Sequence, residues 1–205
     1  MPKANPSSLN DITGQKPNTA KKKGKDGATA DAHLEAAKLG AKILKGAWNV
    51  IKDSKAQATT TAESAKILCV SDEHWGHYSG GKEARSKPVT WKLDNFAGVN
   101  CFTIEFSVSA RCGAKHKDLP GLWIPNINVI FSECRTNWPW VLEGNAMVDA
   151  GSLFNTGTPD HTIPEVRLDI DISAKAHAGL QWEDRNRKFS FNVNAQSGLT
   201  ELFTR

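Results

Sequence analysis

One alternating stretch, residues 101–111 (CFTIEFSVSAR), constrains the fold more than any other part of the sequence. Its apolar side chains fall on every second position, and most of the positions between them are polar. The apolar set is Phe102, Ile104, Phe106, Val108 and Ala110. Successive side chains of a β-strand point to opposite faces, so this stretch is predicted to be a strand with one buried and one solvated face.

The same alternation returns along the rest of the chain. It is found at residues 89–93, 122–134, 140–148, 166–173 and 188–194. No long helical pattern separates these segments, which argues against βαβ units and favours antiparallel sheets. Two such sheets must bury their apolar faces against each other. We therefore predict an all-β fold with a β-sandwich over residues 88–205; a jelly roll and an immunoglobulin-like sandwich both satisfy the pattern.

Residues 33–55 carry a helical period instead. The basic side chains Lys38, Lys42, Lys45 and Lys52 fall on one stripe. The opposite side is apolar and includes Leu39, Ile43, Trp48 and Ile51. This pattern predicts a basic amphipathic helix. Two glycines within it each weaken a helix by about 1 kcal/mol relative to alanine, so we expect it to form when its apolar face is docked. Its partner is the sandwich itself, RNA or a neighbouring subunit, or an anionic membrane.

Residues 1–32 have almost no large apolar side chains and are rich in Pro, Ser, Asn, Thr, Gly and Lys. Such a segment cannot offset its ordering entropy and is predicted to be disordered. Residues 1–55 carry eleven lysines against five acidic residues, a balance of +6 in a chain of +4, which leaves −2 for the remainder. This arm, with its cluster Lys21, Lys22, Lys23 and Lys25, is either a solubilising tail, a nuclear address or a phosphate-binding segment.

Residues 56–87 are predicted to be a linker and a loop, with a marginal strand near Ile67. The loop contains His74 and His77 with Asp72 close in sequence. An H-x-x-H pair beside a carboxylate can bind a metal ion, but no third ligand stands at a convincing spacing. We therefore predict no metal site and no cofactor.

Residues with catalytic chemistry do not form a recognisable motif. Asp169 and Asp171 share one face of a strand, where a solvated charged surface explains them better than a calcium or acid–base site. Cys112 and His116 lie in one Lys-bearing segment, but nothing else converges on them. The chain has no G-x-S-x-G, P-loop, G-x-G-x-x-G or H-E-x-x-H sequence. We predict that it is not an enzyme.

Seven tryptophans against one tyrosine are unusual. Trp91 and Trp140 fall on predicted core positions, whereas Trp123, Trp138 and Trp182 fall at strand ends or in loops. An exposed tryptophan at a loop end can mark a protein interface, a carbohydrate platform or a membrane-seeking edge.

The order of parts resembles that of coat proteins of small positive-strand RNA viruses: a basic arm, a basic helix, a small-residue linker and a compact sandwich. The resemblance implies a jelly-roll-like shell domain that self-assembles into a virion, in the host cytoplasm or nucleus. It also implies sequence-independent RNA binding through Lys21, Lys22, Lys23, Lys25, Lys38, Lys42, Lys45 and Lys52. The arm here carries lysine only, whereas such arms are often rich in arginine.

The alternative is a membrane-active protein. Its helix 33–55 would contact an anionic membrane through Leu39, Ile43, Trp48 and Ile51, and its sandwich would serve for targeting. A small adaptor with an ordinary structural helix is a third class. No apolar run follows the basic start and no uncharged apolar run reaches about 18 residues, so neither a secretory signal nor a membrane-spanning helix is expected. The four cysteines are accordingly expected to be reduced.

Overall fold

The computed structural model describes residues 40–57, 64–178 and 181–204. Within them the chain is almost entirely antiparallel β-structure arranged in two sheets. The one helical element in the described part is a single 3₁₀ turn, Trp75–His77, and no described helix has the length and apolar character needed to cross a membrane.

The first sheet contains six strands in the order β1–β4–β8–β7–β5, and β6 also pairs with β7. Its central member, β7, contains the alternating stretch from which the fold was predicted. The strands are β1 (Ala41–Leu44), β4 (Ala65–Cys69), β5 (Tyr78–Arg85), β6 (Val89–Asp94), β7 (Asn100–His116) and β8 (Ile124–Thr136).

The second sheet also contains six strands, in the order β12–β11–β10–β9–β2–β3. They are β2 (Ala47–Lys52), β3 (Lys55–Ala56), β9 (Trp140–Asn155), β10 (Pro164–Ala178), β11 (Gln181–Asn194) and β12 (Gly198–Thr204). All the segments in which alternation predicted a strand lie in strands of one sheet or the other, so those predictions are confirmed.

The core lies between the two sheets. Side chains from both sheets form one buried apolar cluster. Phe106 of β7 meets Phe189 of β11 with ring centroids 5.1 Å apart, and Phe102 meets Trp140 of β9 at 5.6 Å. Both tryptophans assigned to core positions, Trp91 and Trp140, are buried. The apolar face is buried as the pattern predicted, because only burial between two layers removes it from water. The solvated face predicted for residues 101–111 is wrong in part, since Thr103, Ser107 and Ser109 are buried as well.

The strand order differs from the jelly roll that the resemblance implied. Strands β9, β10, β11 and β12 follow each other in sequence and lie side by side in one sheet. They form an up-and-down meander, whereas a jelly roll is built from two Greek keys with long returning connections. Alternation specifies which face of a strand is buried but contains no information about which strand lies beside it.

The predicted helix over residues 33–55 is wrong where the structure describes the chain. Residues 40–57 form β1, β2 and β3. Strand β1 pairs with β4 of the first sheet, while β2 pairs with β9 of the second. Residues 33–39 lie outside the described residues, as does the predicted arm, residues 1–32.

Two local features explain why this segment is extended. Gly40 and Lys45 have positive φ angles of 68° and 52°, which interrupt any continuous helix. The pieces that remain are too short to be stable helices alone. From Ala47 to Val50 exposed and buried residues alternate, and a register shift before Ile51 buries it as well. The spacing of the apolar side chains in this short run fits both the helical period and the strand period. The strand forms because it can pair with the edge of β9.

The boundary predicted at residue 88, between a linker with a loop and the β-structure, also differs in the structure. Residues 65–69 and 78–85 of the expected linker and loop are strands β4 and β5 of the first sheet. The marginal strand near Ile67 is thereby confirmed. The described β-structure begins at Ala41, and residues 58–63 lie outside the described residues.

Candidate functional sites

Asp72 lies at the centre of a cluster of polar side chains at one end of β7. Its Oδ2 atom contacts both the Nδ1 atom of His77 and the Nε2 atom of His116, the latter at 2.9 Å. Its Oδ1 atom accepts a hydrogen bond of 2.9 Å from the backbone N–H of His74. Hydrogen bonds from His116 and His77 hold the pKa of the Asp72 carboxyl far below its ordinary value.

The backbone around His116 determines which of its ring nitrogens carries the proton. Its Nδ1 atom accepts hydrogen bonds of 3.1 Å from the backbone N–H groups of Asp118 and Leu119. Nδ1 is therefore an acceptor, and in the neutral ring Nε2 carries the hydrogen that is donated to Asp72. The ring is buried and fixed in this role from both sides.

This arrangement bears on metal binding. The ligand atoms of Asp72, His77 and His116 lie within 4.8 Å of one another, close enough for one ion. A metal ion needs the lone pair of Nε2, and a metal-bound histidine usually donates its other N–H to an acceptor. Here two backbone donors face the other nitrogen instead. The donor set as it stands therefore suits a structural hydrogen-bond network better than a metal ion.

Tyr78 completes the network. Its hydroxyl donates a hydrogen bond of 2.6 Å to the backbone carbonyl of Asp72 and accepts one of 2.9 Å from the backbone N–H of Cys69. Burial raises the pKa of Tyr78 to about 12, so the hydroxyl remains a donor at neutral pH. The loop between β4 and β5 is thus attached to the sheet at several points.

The sequence indicated only half of this cluster. His74, His77 and Asp72 are close in the chain, and His74 and His77 stack with ring centroids 4.7 Å apart. His116 arrives from β7, and β5 pairs with β7 so that Tyr78 lies opposite His116. Only the register of these strands could have identified it.

Cys112 and His116, which lie close together in the sequence, do not form a thiolate or ligand pair. Cys112 faces the core and is buried, and burial raises the pKa of its thiol to about 11. A protonated thiol is neither a nucleophile nor a metal ligand. Both ring nitrogens of His116 are engaged elsewhere, as described above.

Asp169 and Asp171 do not converge on a common site. Asp169 is 1% exposed and accepts a hydrogen bond of 2.7 Å from Ser190 Oγ, with Lys188 Nζ at 2.9 Å. Burial opposes ionisation, but the contacts with Ser190 and Lys188 outweigh it and lower the pKa of Asp169. Asp171 is exposed. Asp171 therefore lies on a solvated surface as predicted, whereas the solvated position predicted for Asp169 is wrong because its neighbours bury it.

The lysines expected on one helical stripe are separated by the fold. Lys42 lies on β1 of the first sheet and forms an ion pair with Glu73, whereas Lys52 lies at the end of β2 in the second. Lys45 lies in the turn between β1 and β2. Lys21, Lys22, Lys23, Lys25 and Lys38 lie outside the described residues.

Two loops at the other end of β7 expose large apolar side chains. Phe96 is fully exposed, Val99 is 58% exposed and Trp138 is 89% exposed. The Asn137 side chain donates a hydrogen bond of 2.8 Å to the carbonyl of Asn100, which joins the two loops. We call Phe96, Val99 and Trp138 the apolar tip. Trp123, by contrast, is 1% exposed and belongs to the core.

A comparison of the chain with protein-family models, with curated proteins and with solved structures found no match in any of the three. Any function must therefore be argued from the residues of this chain alone.

Proposed function

We propose that the chain is a structural coat protein that self-assembles through its β-sandwich and binds RNA without sequence preference through its lysine-rich N-terminal segment. Its place is the virion and the host cytoplasm or nucleus. In this proposal the chain has no catalytic role, and its partners are RNA and further copies of itself.

The observation that carries the proposal is the lysine cluster Lys21, Lys22, Lys23 and Lys25, which precedes the first described strand in the chain. Residues 1–40 carry seven lysines against four acidic residues, a balance of +3, and the remaining residues of the +4 chain have a balance of +1. In the sheets several basic side chains are paired with carboxylates, as for Lys188 with Asp169 and Arg167 with Asp149. A phosphate backbone rewards unpaired lysines, because each neutralised phosphate releases condensed counterions.

Two of the lysines that were predicted to bind RNA, Lys42 and Lys52, are poorly placed to do so together. Lys42 has a carboxylate partner in Glu73, and Lys52 lies on the other sheet. The cluster Lys21, Lys22, Lys23 and Lys25, with Lys38, is then the main phosphate-binding group. Lysine acts as a point charge rather than a bidentate fork, which suits binding that follows charge and ignores base order.

The apolar tip supports self-association. Phe96, Val99 and Trp138 leave large apolar surfaces in water at one end of the sandwich. Aromatic residues are enriched in protein interfaces, and the hydrogen bond from Asn137 to Asn100 joins the two loops that carry these side chains. We therefore place a subunit contact at the apolar tip.

The membrane-active alternative requires exposed apolar side chains, and those assigned to it that the structure describes are packed in or against the core. Trp48 and Ile51 are 8% and 2% exposed, and Ile43 packs against the core. Side chains that already stabilise the sandwich cannot insert into a bilayer without unfolding it. Leu39 lies outside the described residues.

The test is size-exclusion chromatography of the full chain at low and high salt, with absorbance read at 260 and 280 nm. We expect a large species rich in nucleic acid that releases it at high salt. A variant with Lys21, Lys22, Lys23 and Lys25 changed to Gln should retain little RNA, because four phosphate contacts contribute about 3 to 4 units of salt slope.

The matched control changes four exposed lysines of the sandwich, Lys82, Lys87, Lys115 and Lys117, to Gln. Both variants lose the same charge, so only position differs. The proposal predicts that the control binds RNA almost as the parent does. Equal loss in the two variants, or a small nucleic-acid-free species at both salt concentrations, would contradict it.

A further inference from the structure

The outer face of the first sheet contains a groove of about 630 Å³ that none of the functions considered above uses. It lies across β4, β8, β7 and β5, on the side of the sheet turned away from the core. Its floor includes Asn126 and Asn128 of β8 with Ser109 and Arg111 of β7. The volume lies within the range of sites for small molecules.

The floor holds two amides without hydrogen-bond partners. The side-chain oxygens of Asn126 and Asn128 are shielded from solvent and accept no hydrogen bond from any described residue. Their cross-strand neighbours are Arg111 and Ser109, and Ser109 already donates to Glu83 Oε1 at 2.8 Å. Buried polar groups without partners are rare in folded proteins and call for an explanation.

Either amide can turn toward the groove without losing a hydrogen bond. The last torsion of an asparagine side chain is broad, and the oxygen makes no bond that rotation would break. A ligand that offers donors and acceptors at this floor would satisfy groups that the protein leaves unsatisfied.

The rim supplies an aromatic platform. Trp75 lines the groove and is 66% exposed, although a tryptophan normally buries its ring. It begins the 3₁₀ turn Trp75–His77, and the contacts of Asp72 with His74 and His77 hold that turn. Trp75 is therefore exposed but positioned in advance, as a binding platform should be.

The charged groups of the groove have both signs. Lys66 and Arg111 can donate hydrogen bonds to a ligand, and Glu83 can accept them. A phosphodiester or a simple anion can only accept, so it would leave the asparagine oxygens without donors and would lie beside the Glu83 carboxylate. A hydroxyl both donates and accepts. Several hydroxyls around a ring with an apolar C–H face would match the polar floor and the Trp75 platform together.

We propose that this groove binds carbohydrate, with one sugar ring stacked on Trp75 and its hydroxyls bonded to Asn126, Asn128, Glu83 and Arg111. A polyhydroxylated ring offers hydroxyls that both donate and accept hydrogen bonds, together with an apolar C–H face. A nucleic acid backbone does not offer this combination. This site is independent of the lysine-rich segment and of the apolar tip, which lies at the other end of β7.

The experiment applies the purified full chain to an array of immobilised neutral and acidic mono- and oligosaccharides, followed by titration of the best free sugar with tryptophan fluorescence as the readout. We expect saturable binding that Trp75→Ala weakens at least tenfold. Asn126→Ala with Asn128→Ala should weaken it comparably. Trp138→Ala is the matched control: it removes a tryptophan that is also largely exposed but does not line the groove, and it should leave sugar binding unchanged.

Several outcomes would overturn the inference. One is the absence of binding to every sugar at millimolar concentration. Another is equal loss in Trp75→Ala and Trp138→Ala, which would mean a non-specific aromatic effect. A third is that Trp75→Ala reduces binding of a single-stranded oligonucleotide and of no sugar, which would assign the groove to RNA. The variant with Lys21, Lys22, Lys23 and Lys25 changed to Gln separates this test from that of the proposed function. It should lose RNA binding and still bind sugar normally.

Discussion

At the scale of single residues, the most informative group is Asp72. Its carboxylate receives hydrogen bonds from two imidazoles and one backbone N–H, and these contacts connect the β4–β5 loop to β7. His116 shows how a residue that suggests a ligand or a catalyst can serve structure. Two backbone N–H groups occupy one of its nitrogens and a carboxylate the other.

Asp72→Asn should destabilise the protein in a pH-dependent way. The pKa of Asp72 is lowered by folding, so its contribution is fully present above the ordinary aspartate pKa of about 4 and is lost progressively as the pH falls from there toward the much lower pKa of the folded state. We expect a lower melting temperature at pH 7 and a smaller difference from the parent at pH 3. Asp171→Asn, at an exposed position, is the control and should change little. A constant difference at both pH values would contradict the assignment.

Zinc offers a second test at this scale. Because Nε2 of His116 carries the hydrogen bonded to Asp72, one equivalent of Zn²⁺ should leave the melting temperature of the full chain unchanged, and EDTA should have no effect. Differential scanning fluorimetry measures both. A rise with Zn²⁺ that His116→Asn abolishes would show that the cluster rearranges into a metal site.

At the scale of secondary-structure elements, β2 shows why residues 40–57 form strands where the sequence pattern predicted a helix. Its sequence fits a helix by spacing and a strand by alternation, and the unpaired edge of β9 resolves the conflict. Strand β1 joins the other sheet, so one short segment contributes to both layers. The lysine stripe and the apolar stripe of the predicted helix do not exist as surfaces in the described residues.

Ile51→Ala should therefore reduce the free energy of unfolding by about 2–5 kcal/mol, since it removes a side chain that is 2% exposed. Asn49→Ala, on the exposed side of the same strand, should change it by less than about 0.5 kcal/mol. Urea unfolding of the full chain measures both. Similar small effects in the two variants would mean that β2 is not part of the stable sandwich.

At the scale of the whole molecule, the apolar tip lies at one end of β7 and the groove and the Asp72 cluster lie toward the other. The groove and the cluster adjoin, because Tyr78 belongs to both and the Asp72 contacts hold the turn that carries Trp75. The lysine cluster at residues 21–25 precedes all of them in the chain. In the proposed function the apolar tip serves subunit contact and the lysine cluster serves RNA binding, so that the two can be tested separately.

Phe96→Ser combined with Trp138→Ser should reduce self-association without reducing stability, because both side chains are largely in water in the single chain. Sedimentation velocity should show a smaller species, and thermal melting should be nearly unchanged. The control is Met147→Ser, an exposed apolar residue on the second sheet, which should leave assembly intact. Assembly that persists in the double variant would move the subunit contact elsewhere.

The sequence by itself determined the class of the fold and the buried face of most strands. Phe102 to Ala110, and the alternating residues of β10 and β11, could be assigned because inward and outward positions differ by one residue, which is a local property. Only the tertiary structure decided the strand order, the extended state of residues 40–57 and the meeting of His116 with Asp72. Each of these depends on residues far apart in the chain, whose pairing is settled by edges and registers that no local period contains.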